Sequence, residues 1–208
     1  MICIPIREKK VDTLIKNIKK AQEKADVVEV WFDEIAIPEA KLKKIFKDKK
    51  KPFIYKVTNG KNLKKIATFC VEFLDVDHET PKKEINNIKK KFPRSKTIIS
   101  YHDFKKTPTK SKLTAIFGKI KKSGADIVKI AVKANTFEDN LVVLEFLSKK
   151  TKKNDLIALC MGGKGGITRI VGHLFGNYLV YVSLEESKKT ASGQIDYLTL
   201  KKLRCLLK

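Results

Sequence analysis

The chain has 208 residues, of which 42% are apolar, a length and composition that suit one domain with a sizeable core and exclude a disordered chain. No apolar run approaches the roughly 20 residues that span a bilayer, so the sequence predicts no membrane partner. The formal net charge of +23 comes from lysines spread along every amphipathic segment; because nucleic-acid readers depend on the arginine fork, the sequence predicts a solvated basic surface and no specific nucleic-acid partner.

Two patterns alternate along the chain. Short apolar or β-branched runs predict eight strands, at 1–6, 27–33, 53–58, 73–77, 97–102, 127–132, 156–161 and 179–184. Lysine-rich segments with apolar residues three or four apart predict a helix after each strand. Strands that alternate with helices pair in parallel, and eight such units predict a (β/α)₈ TIM barrel, with a doubly wound open sheet as the alternative. No linker divides the chain, so 1–208 is predicted to form a single domain.

The four cysteines predict the compartment. They are scattered, with no Cys-x-x-Cys pair and no histidines at metal-ligand spacing, at Cys3, Cys70, Cys160 and Cys205. Such thiols indicate reduced cysteines in a cytoplasmic protein and no metal site. The apolar start, residues 1–6, has no basic segment ahead of it and is too short for a signal peptide.

Polar residues interrupt one face of the predicted strands. Active sites of TIM barrels form at the carboxyl ends of the strands from inward side chains, and period-two alternation identifies those side chains. In chain order they are Glu29, Trp31, Asp33, Lys56, Thr58, Asp75, Asp77, Ser100, His102 and Lys129. An interior this polar would be costly as structure alone, so it predicts a site.

Lys129 is the sharpest of these signals, because the strand around it (127–132) is otherwise apolar. Burial lowers the pKa of a lysine, so we expect a neutral amine that can attack a carbonyl and form a Schiff base. The alternative is a buried ion pair with Glu29, Asp75 or Asp77. The lysine alone leaves both interpretations open.

Two further features favour a catalytic site. His102 ends the strand beside the one that carries Lys129, and histidine is the usual proton shuttle near neutral pH; His78 and His173 are assigned to loop and helix positions. The glycine-rich loop 161–169 follows the seventh strand and ends at Arg169, whose planar fork suits a carboxylate held in one orientation. Phosphate binding by this loop stays open, although it lacks the Gly-Lys-Ser/Thr of a P-loop.

Several motifs together resemble the type I 3-dehydroquinate dehydratase family. In chain order they are Glu29 and Asp33 on the second strand, SYHDF at 100–104, VKIA at 128–131, the loop 161–169, and TASGQ at 190–194. They correspond to the family's acidic motif, general base, Schiff-base lysine, substrate-carboxylate loop and lid. The resemblance covers the whole chain in the right order.

The resemblance implies a homodimeric barrel enzyme without a cofactor, a carbon–oxygen hydro-lyase that dehydrates 3-dehydroquinate to 3-dehydroshikimate in aromatic amino-acid biosynthesis. It implies that Lys129 forms the imine with the substrate ketone and that His102 transfers the protons. The residues predicted to bind substrate are Glu29, Lys56, Arg169, Thr190 and Gln194.

The chain departs from the family pattern on the second and third strands. Trp31 and Thr58 stand where the family has arginines, and Lys56, on the same face as Thr58, is the candidate replacement for the missing charge. In the lid, a serine of the family is Thr190 and a proline is Ser192. An aldolase-like Schiff-base lyase acting on a related keto acid is therefore kept as an alternative. A nonenzymatic basic binding protein is the other, because of the net charge.

One departure concerns the partner of the histidine. Asn62 aligns with the family glutamate that pairs with the catalytic histidine. Asp77 lies nearer the carboxyl end of the neighbouring strand, so we hypothesise that it orients His102. The alternative is that Asp77 balances the charge of Lys129 or Lys56.

Overall fold

A computed structural model describes residues 1–206. Strands β1 to β7 lie side by side in chain order and β8 pairs with β1, all in parallel, which confirms the predicted barrel of alternating strands and helices. The strands are β1 (Ile2–Ile6), β2 (Val27–Val30), β3 (Phe53–Lys56), β4 (Phe73–Asp77), β5 (Lys96–Asp103), β6 (Ile127–Lys133), β7 (Leu156–Met161) and β8 (Val180–Tyr181). The helices are α1 (Val11–Gln22), α2 (Glu39–Lys47), α3 (Leu63–Ile66), α4 (Lys82–Lys91), α5 (Lys110–Lys122), α6 (Glu138–Lys150), α7 (Gly166–Val171) and α8 (Tyr197–Cys205).

The barrel has one loosely joined seam, between β7 and β8. No strand ladder connects these two within residues 1–206. A single backbone hydrogen bond crosses the seam just before β8, from the Tyr178 amide to the Leu156 carbonyl at 2.9 Å. The predicted strand 179–184 is shorter than expected, because only Val180 and Tyr181 pair with β1.

Strands β2 and β3 also end before the predicted boundaries of Asp33 and Thr58. Asp33 lies in a short 3₁₀ turn, Phe32–Glu34, and accepts hydrogen bonds from the backbone amides of Thr58, Gly60 and Asn62. These hydrogen bonds lead the backbone after β2 and after β3 away from the sheet, because the carboxylate of Asp33 satisfies amides that would otherwise continue a strand ladder. Asp33 therefore anchors the β3–α3 loop.

The inside of the barrel is closed at the amino ends of the strands by an apolar layer. Its residues are Cys3, Val27, Ile54, Phe73, Ile98, Ile127, Ile157 and Leu179, with Ala131, Leu159, Met161 and Tyr181 above them. The helices cover the outer face of the sheet with a second apolar layer, and α5 is capped by Thr109, whose hydroxyl accepts a hydrogen bond from the Lys112 amide. Polar interior side chains are thereby confined to the carboxyl ends of the strands. Within residues 1–206, no helix has the length and apolar character needed to cross a membrane.

Candidate active site

A cavity of about 390 Å³ opens at the carboxyl ends of the strands. It is lined by Trp31, Lys56, Asp77, His78, Glu79, His102, Phe104 and Lys129. A groove of about 660 Å³ between α1 and α2 is larger, but it lies on the outer surface, away from the interior polar residues. The cavity in the barrel mouth brings together Lys129 and His102, the two residues predicted to do the chemistry.

A network of buried charges forms the floor of this cavity. Asp75 lies between two lysines: Lys129 Nζ is 2.7 Å from Oδ2, and Lys56 Nζ is 2.7 Å from Oδ1. Ser100 donates to Asp75 Oδ1 at 2.7 Å and also lies 3.0 Å from Lys56 Nζ. Glu29 is the second carboxylate, 3.4 Å from Lys129 Nζ. Each charge therefore has an opposite partner, as burial requires.

The protonation state of Lys129 differs from the sequence prediction. Burial by itself lowers the pKa of Lys129, as expected, but the carboxylates of Asp75 and Glu29 outweigh it and raise the pKa above the usual lysine value. The expectation of a resting neutral amine was therefore wrong, and the ion pair that was its alternative is present. An amine is available for chemistry only after this ammonium loses its proton.

The opposite shift acts on His102. Burial, together with the positive charges of Lys129 and Lys56, lowers the pKa of His102 to about 4. The ring stacks on Phe104, with centroids 5.9 Å apart and planes inclined by 8°. A neutral imidazole near pH 7 can accept a proton, which is what a general base requires.

Asp77 lies beside His102 without a hydrogen bond to it in the described residues. Its Oδ1 accepts from the amide of Glu79 at 2.9 Å and lies 3.1 Å from Nδ1 of His78. Its negative charge acts on His102, although less than the charges of the two lysines, and raises the pKa of the ring. Asp77 makes no ion pair with Lys129 or Lys56, because Asp75 takes both of those contacts.

The wall formed by β2 is built around Trp31. Its indole Nε1 donates to Glu29 Oε1 at 3.0 Å. The guanidinium of Arg7, which follows β1, lies 4.6 Å from the centre of the Trp31 ring and is held by Glu34 at 2.6 and 2.9 Å. Glu29 thus contacts both Trp31 and Lys129, whereas Asp33, predicted on the same face, is withdrawn into the turn behind it.

Asn62 serves the same turn as Asp33 and does not reach the cavity. Its Nδ2 donates to the carbonyls of Phe32 and Ile35, at 2.6 and 3.1 Å. The side chain is buried, and its Nδ2 holds the two loops together. Asn62 therefore contributes loop structure and makes no contact with His102.

Arg169 and the segment 190–194 lie on the β7–β8 side of the barrel. Arg169 is 2% exposed, and its Nη1 donates to the Tyr181 carbonyl at 3.0 Å, while Nε has no partner within residues 1–206. Burial lowers the pKa of Arg169 to about 10, which leaves it charged at neutral pH. An incompletely bonded buried guanidinium can donate hydrogen bonds to an anion.

The segment 190–194 is docked on the loop after β7. Gln194 Oε1 accepts from the Thr190 amide at 2.8 Å, and the Ser192 carbonyl accepts from the Gly162 amide at 3.0 Å. Gly193 has a φ of +73°, and a Cβ there would lie 2.0 Å from the Gly162 carbonyl oxygen. Only glycine allows this close approach.

Two residues near Lys129 were missed by the sequence interpretation. The Tyr181 ring lies 4.1 Å from Lys129 Nζ, and its buried hydroxyl has no partner within residues 1–206. Cys3, paired in register with Tyr181, is fully buried beside it, and burial raises the pKa of its thiol. Alternation along the first and last predicted strands could have identified both as inward residues. No cluster of three potential metal ligands occurs in the described part of the chain.

Comparison with known proteins places this geometry in a family. A family model described as type I 3-dehydroquinase matches residues 2–208. The chain belongs to the type I 3-dehydroquinase family. The predicted enzyme class, a hydro-lyase, is thereby confirmed, and the alternative of a nonenzymatic binding protein is set aside.

Individual 3-dehydroquinate dehydratases match the chain along nearly its whole length. The 3-dehydroquinate dehydratase of Methanocaldococcus jannaschii is 37% identical over 98% of this chain and 97% of the relative. That of Methanococcus maripaludis strain C7 is 36% identical over 100% and 99%. A crystal structure of the type I enzyme from Clostridium difficile, solved with covalently modified comenic acid, is 28% identical and superposes with a TM-score of 0.82 over 99% of this chain and 91% of that one.

Proposed function

We propose that the chain dehydrates 3-dehydroquinate to 3-dehydroshikimate, a step of aromatic amino-acid biosynthesis, through an imine on Lys129. The observation that carries the proposal is that Lys129 and a neutral His102 line one cavity in a member of this family. Lys129 would supply the nucleophile and His102 the base. Lys56 and His78 line the same cavity, but Lys56 is held by Asp75 and Ser100 and His78 lies against Asp77.

The reaction begins when the nitrogen of Lys129 attacks the C3 ketone and two protons of its ammonium pass to the ketone oxygen. Water leaves, and the protonated imine withdraws electrons from the adjacent carbon, which makes its C2 proton acidic. Neutral His102 takes that proton, becomes an imidazolium, and returns the proton to the C1 hydroxyl, which departs as water. Hydrolysis of the imine then releases the product and restores the amine. The neighbouring positive charges favour the return of the proton from His102.

The substrate carboxylate would bind at Arg169, with Thr190 and Gln194 closing over it. The buried guanidinium with an unbonded Nε supports this assignment, because a carboxylate can satisfy it. Glu29 and Lys56 would contact the ring hydroxyls on the opposite wall. Trp31 narrows that wall where the family has an arginine.

Reductive trapping tests the proposal. The chain is incubated with 3-dehydroquinate, treated with borohydride and digested, and the mass of the peptide that contains Lys129 is measured. We expect a stable adduct on Lys129 in the natural chain and none in Lys129→Met. Turnover without any adduct would refute the imine mechanism. An adduct on another lysine would assign the imine to that lysine.

The replacement of two family arginines favours one alternative, the same chemistry on a related keto acid. Trp31 and Thr58 remove two guanidinium groups from the substrate wall. Comparing kcat/KM for 3-dehydroquinate with the values for smaller keto acids separates the two functions. A higher value for another keto acid would replace the proposed substrate and leave the imine chemistry in place.

We also infer that the chain works as a homodimer in the cytoplasm. The exposed apolar side chains on α6, α7 and the segment that follows support a second copy as partner; they are Leu141, Ile167, Leu174 and Phe175, with Phe137 just before α6. The free cysteines support a reducing compartment. Light scattering of the purified chain tests the dimer, and a monomer at micromolar concentration would contradict it.

A further inference from the structure

We propose that Lys56 is a positioning residue for the reaction, one that sets the protonation of Lys129 through the carboxylate of Asp75 that the two lysines share. The proposal rests on the imine chemistry assigned above to Lys129. It assigns Lys56 an electrostatic task in addition to any contact with substrate.

The geometry carries the first step. Each oxygen of Asp75 holds one ammonium at 2.7 Å, Lys56 on Oδ1 and Lys129 on Oδ2. Asp75 is 0% exposed, Lys56 7% and Lys129 6%, so water screens these charges little. The carboxylate of Asp75 therefore stabilises two ammonium groups at once.

Ser100 fixes the position of Lys56 in this arrangement. Its hydroxyl donates to Asp75 Oδ1 at 2.7 Å and lies 3.0 Å from Lys56 Nζ. Lys56 thus has two partners at the bottom of the cavity, and one of its three ammonium protons remains for a substrate. A lysine that served only to bind substrate would not need to share the carboxylate of the reactive lysine.

The second step concerns the effect of Lys56 on its neighbours. A second cation near Lys129 disfavours the ammonium form and so favours the free amine. Lys56 also makes Asp75 a weaker base, because with Lys129 it outweighs the effect of burial and holds the pKa of Asp75 below its usual value. Without Lys56, Asp75 would serve Lys129 alone, and the pKa of Lys129 would rise further.

The other titratable groups that face Lys129 come from the surrounding strands. They are Cys3 on β1, Glu29 on β2, Asp75 and Asp77 on β4, His102 on β5 and Tyr181 on β8. Asp75 and Glu29 raise the pKa of Lys129, and among these residues none is a cation at neutral pH. Lys56 is the cation that the described residues place against this network.

Chemical labelling tests the proposal on the full-length chain. The acetylation rate of Lys129 by acetic anhydride is measured by peptide mass spectrometry as a function of pH, which gives the pKa of the amine without any substrate. In Lys56→Met we expect this pKa to rise by about one unit or more, a tenfold loss of free amine at a given pH. Lys56→Arg keeps the charge and should retain the original value.

Two further measurements keep the test decisive. The proton spectrum of His102 should show its pKa moving up toward 6.5 in Lys56→Met, because one of the charges that depress it is gone. Lys91→Met, which removes a lysine from the exposed end of α4, is the control for net charge and should change neither value. If Lys56→Met does not fold, Lys56→Gln removes the same charge and retains a hydrogen-bond donor.

An unchanged pKa of Lys129 in the neutral variants, or an equal shift in Lys91→Met, would overturn the proposal. A raised KM with unchanged pKa values would show that Lys56 only binds substrate. Failure of the proposed function gives a different result: borohydride would then trap no adduct in the natural chain, while the pKa shift in Lys56→Met would still be measurable.

Discussion

The ammonium of Lys129 lies 2.7 Å from Asp75, although β5 separates the strands that carry them. The contact spans the inside of the barrel and joins charges that no local stretch of sequence brings together. Several of the following predictions depend on this pair.

Asp75→Asn should destabilise the fold. The substitution leaves two buried ammonium groups without their shared carboxylate, and breaking a buried pair costs about 3–5 kcal/mol. Urea denaturation measures the loss. The control is Asp12→Asn, whose side chain is 86% exposed beside Lys41, where the expected change is below about 1 kcal/mol. Similar losses in both variants would contradict a buried charge network.

Lys129→Ala and Lys129→Met should abolish turnover and leave the barrel folded. Removing a covalent nucleophile costs on the order of 10⁴-fold or more. Asp75 keeps Lys56, and Glu29 keeps the Trp31 indole, so neither carboxylate loses all its partners. Steady-state kinetics with circular dichroism checks both points. Lys133→Ala, at the exposed end of β6, is the control, and near-normal activity in either Lys129 variant would exclude the imine.

The pH profile should report a base of low pKa. His102 titrates at about 4 in the folded chain because burial and two lysines disfavour the imidazolium. The neutral form of His102 therefore persists as the pH falls from 7, and kcat, which reports the complex after Lys129 has formed the imine, should decline only as the pH approaches 4. A decline centred near 6.5 would contradict this environment.

The lowered pKa of His102 also makes the stability of the fold depend on pH. The folded pKa is below the unfolded value of about 6.5, so the stabilisation tied to neutral His102 is complete above pH 6.5 and is lost as the pH falls toward 4. The unfolding free energies of the natural chain and of His102→Gln should therefore converge over that window. Parallel pH dependences would show that His102 is not the group responsible.

Asp77→Asn tests the hypothesis that Asp77 orients His102. The hydrogen bonds of Asp77 go to His78 and to the Glu79 amide, so we expect a loss of turnover below about tenfold and a slightly lower pKa of His102. An orienting carboxylate would instead give about 10²-fold. Kinetics and borohydride trapping are measured together: trapping should survive, since Lys129 pairs with Asp75.

Gly193→Ala should disrupt the docking of the segment 190–194. A Cβ at this position meets the Gly162 carbonyl at 2.0 Å, in a backbone conformation that alanine rarely adopts. We expect a raised KM and faster proteolysis near residue 190, with the barrel intact. Gly163→Ala, where nothing lies within 4 Å, is the control in the neighbouring loop, and equal effects would argue against the docking.

The sequence was sufficient for the barrel because alternation repeats eight times and each helix forces parallel pairing. The sequence did not predict where β2 and β3 end. Those ends depend on Asp33 bonding amides 25 to 29 residues away, and no local pattern reports such a bond. A carboxylate at a strand end looks the same in sequence whether it faces a cavity or caps a turn.

The site divides in the same way. His102 and Lys129 were predictable as neighbours, since β5 and β6 are consecutive and their inward residues follow from alternation. The charge of Lys129 was not predictable, because Asp75 and Glu29 reach it from other strands, at positions set by the register of strand pairing. Burial alone predicts a lowered pKa and a neutral amine, whereas the two carboxylates raise the pKa of Lys129 above its usual value.

The pairing of β8 with β1 means that the two sides of one ladder are far apart in the chain and are synthesised at different times. Ile2 and Cys3 pair with Val180 and Tyr181, so β1 has no partner on that side until β8 has been made. Until then the nascent chain is an open curved sheet whose free edges, at β1 and β7, can pair with other chains. The interval most exposed to aggregation therefore falls just before β8 is made, and chains truncated ahead of β8 should yield insoluble protein.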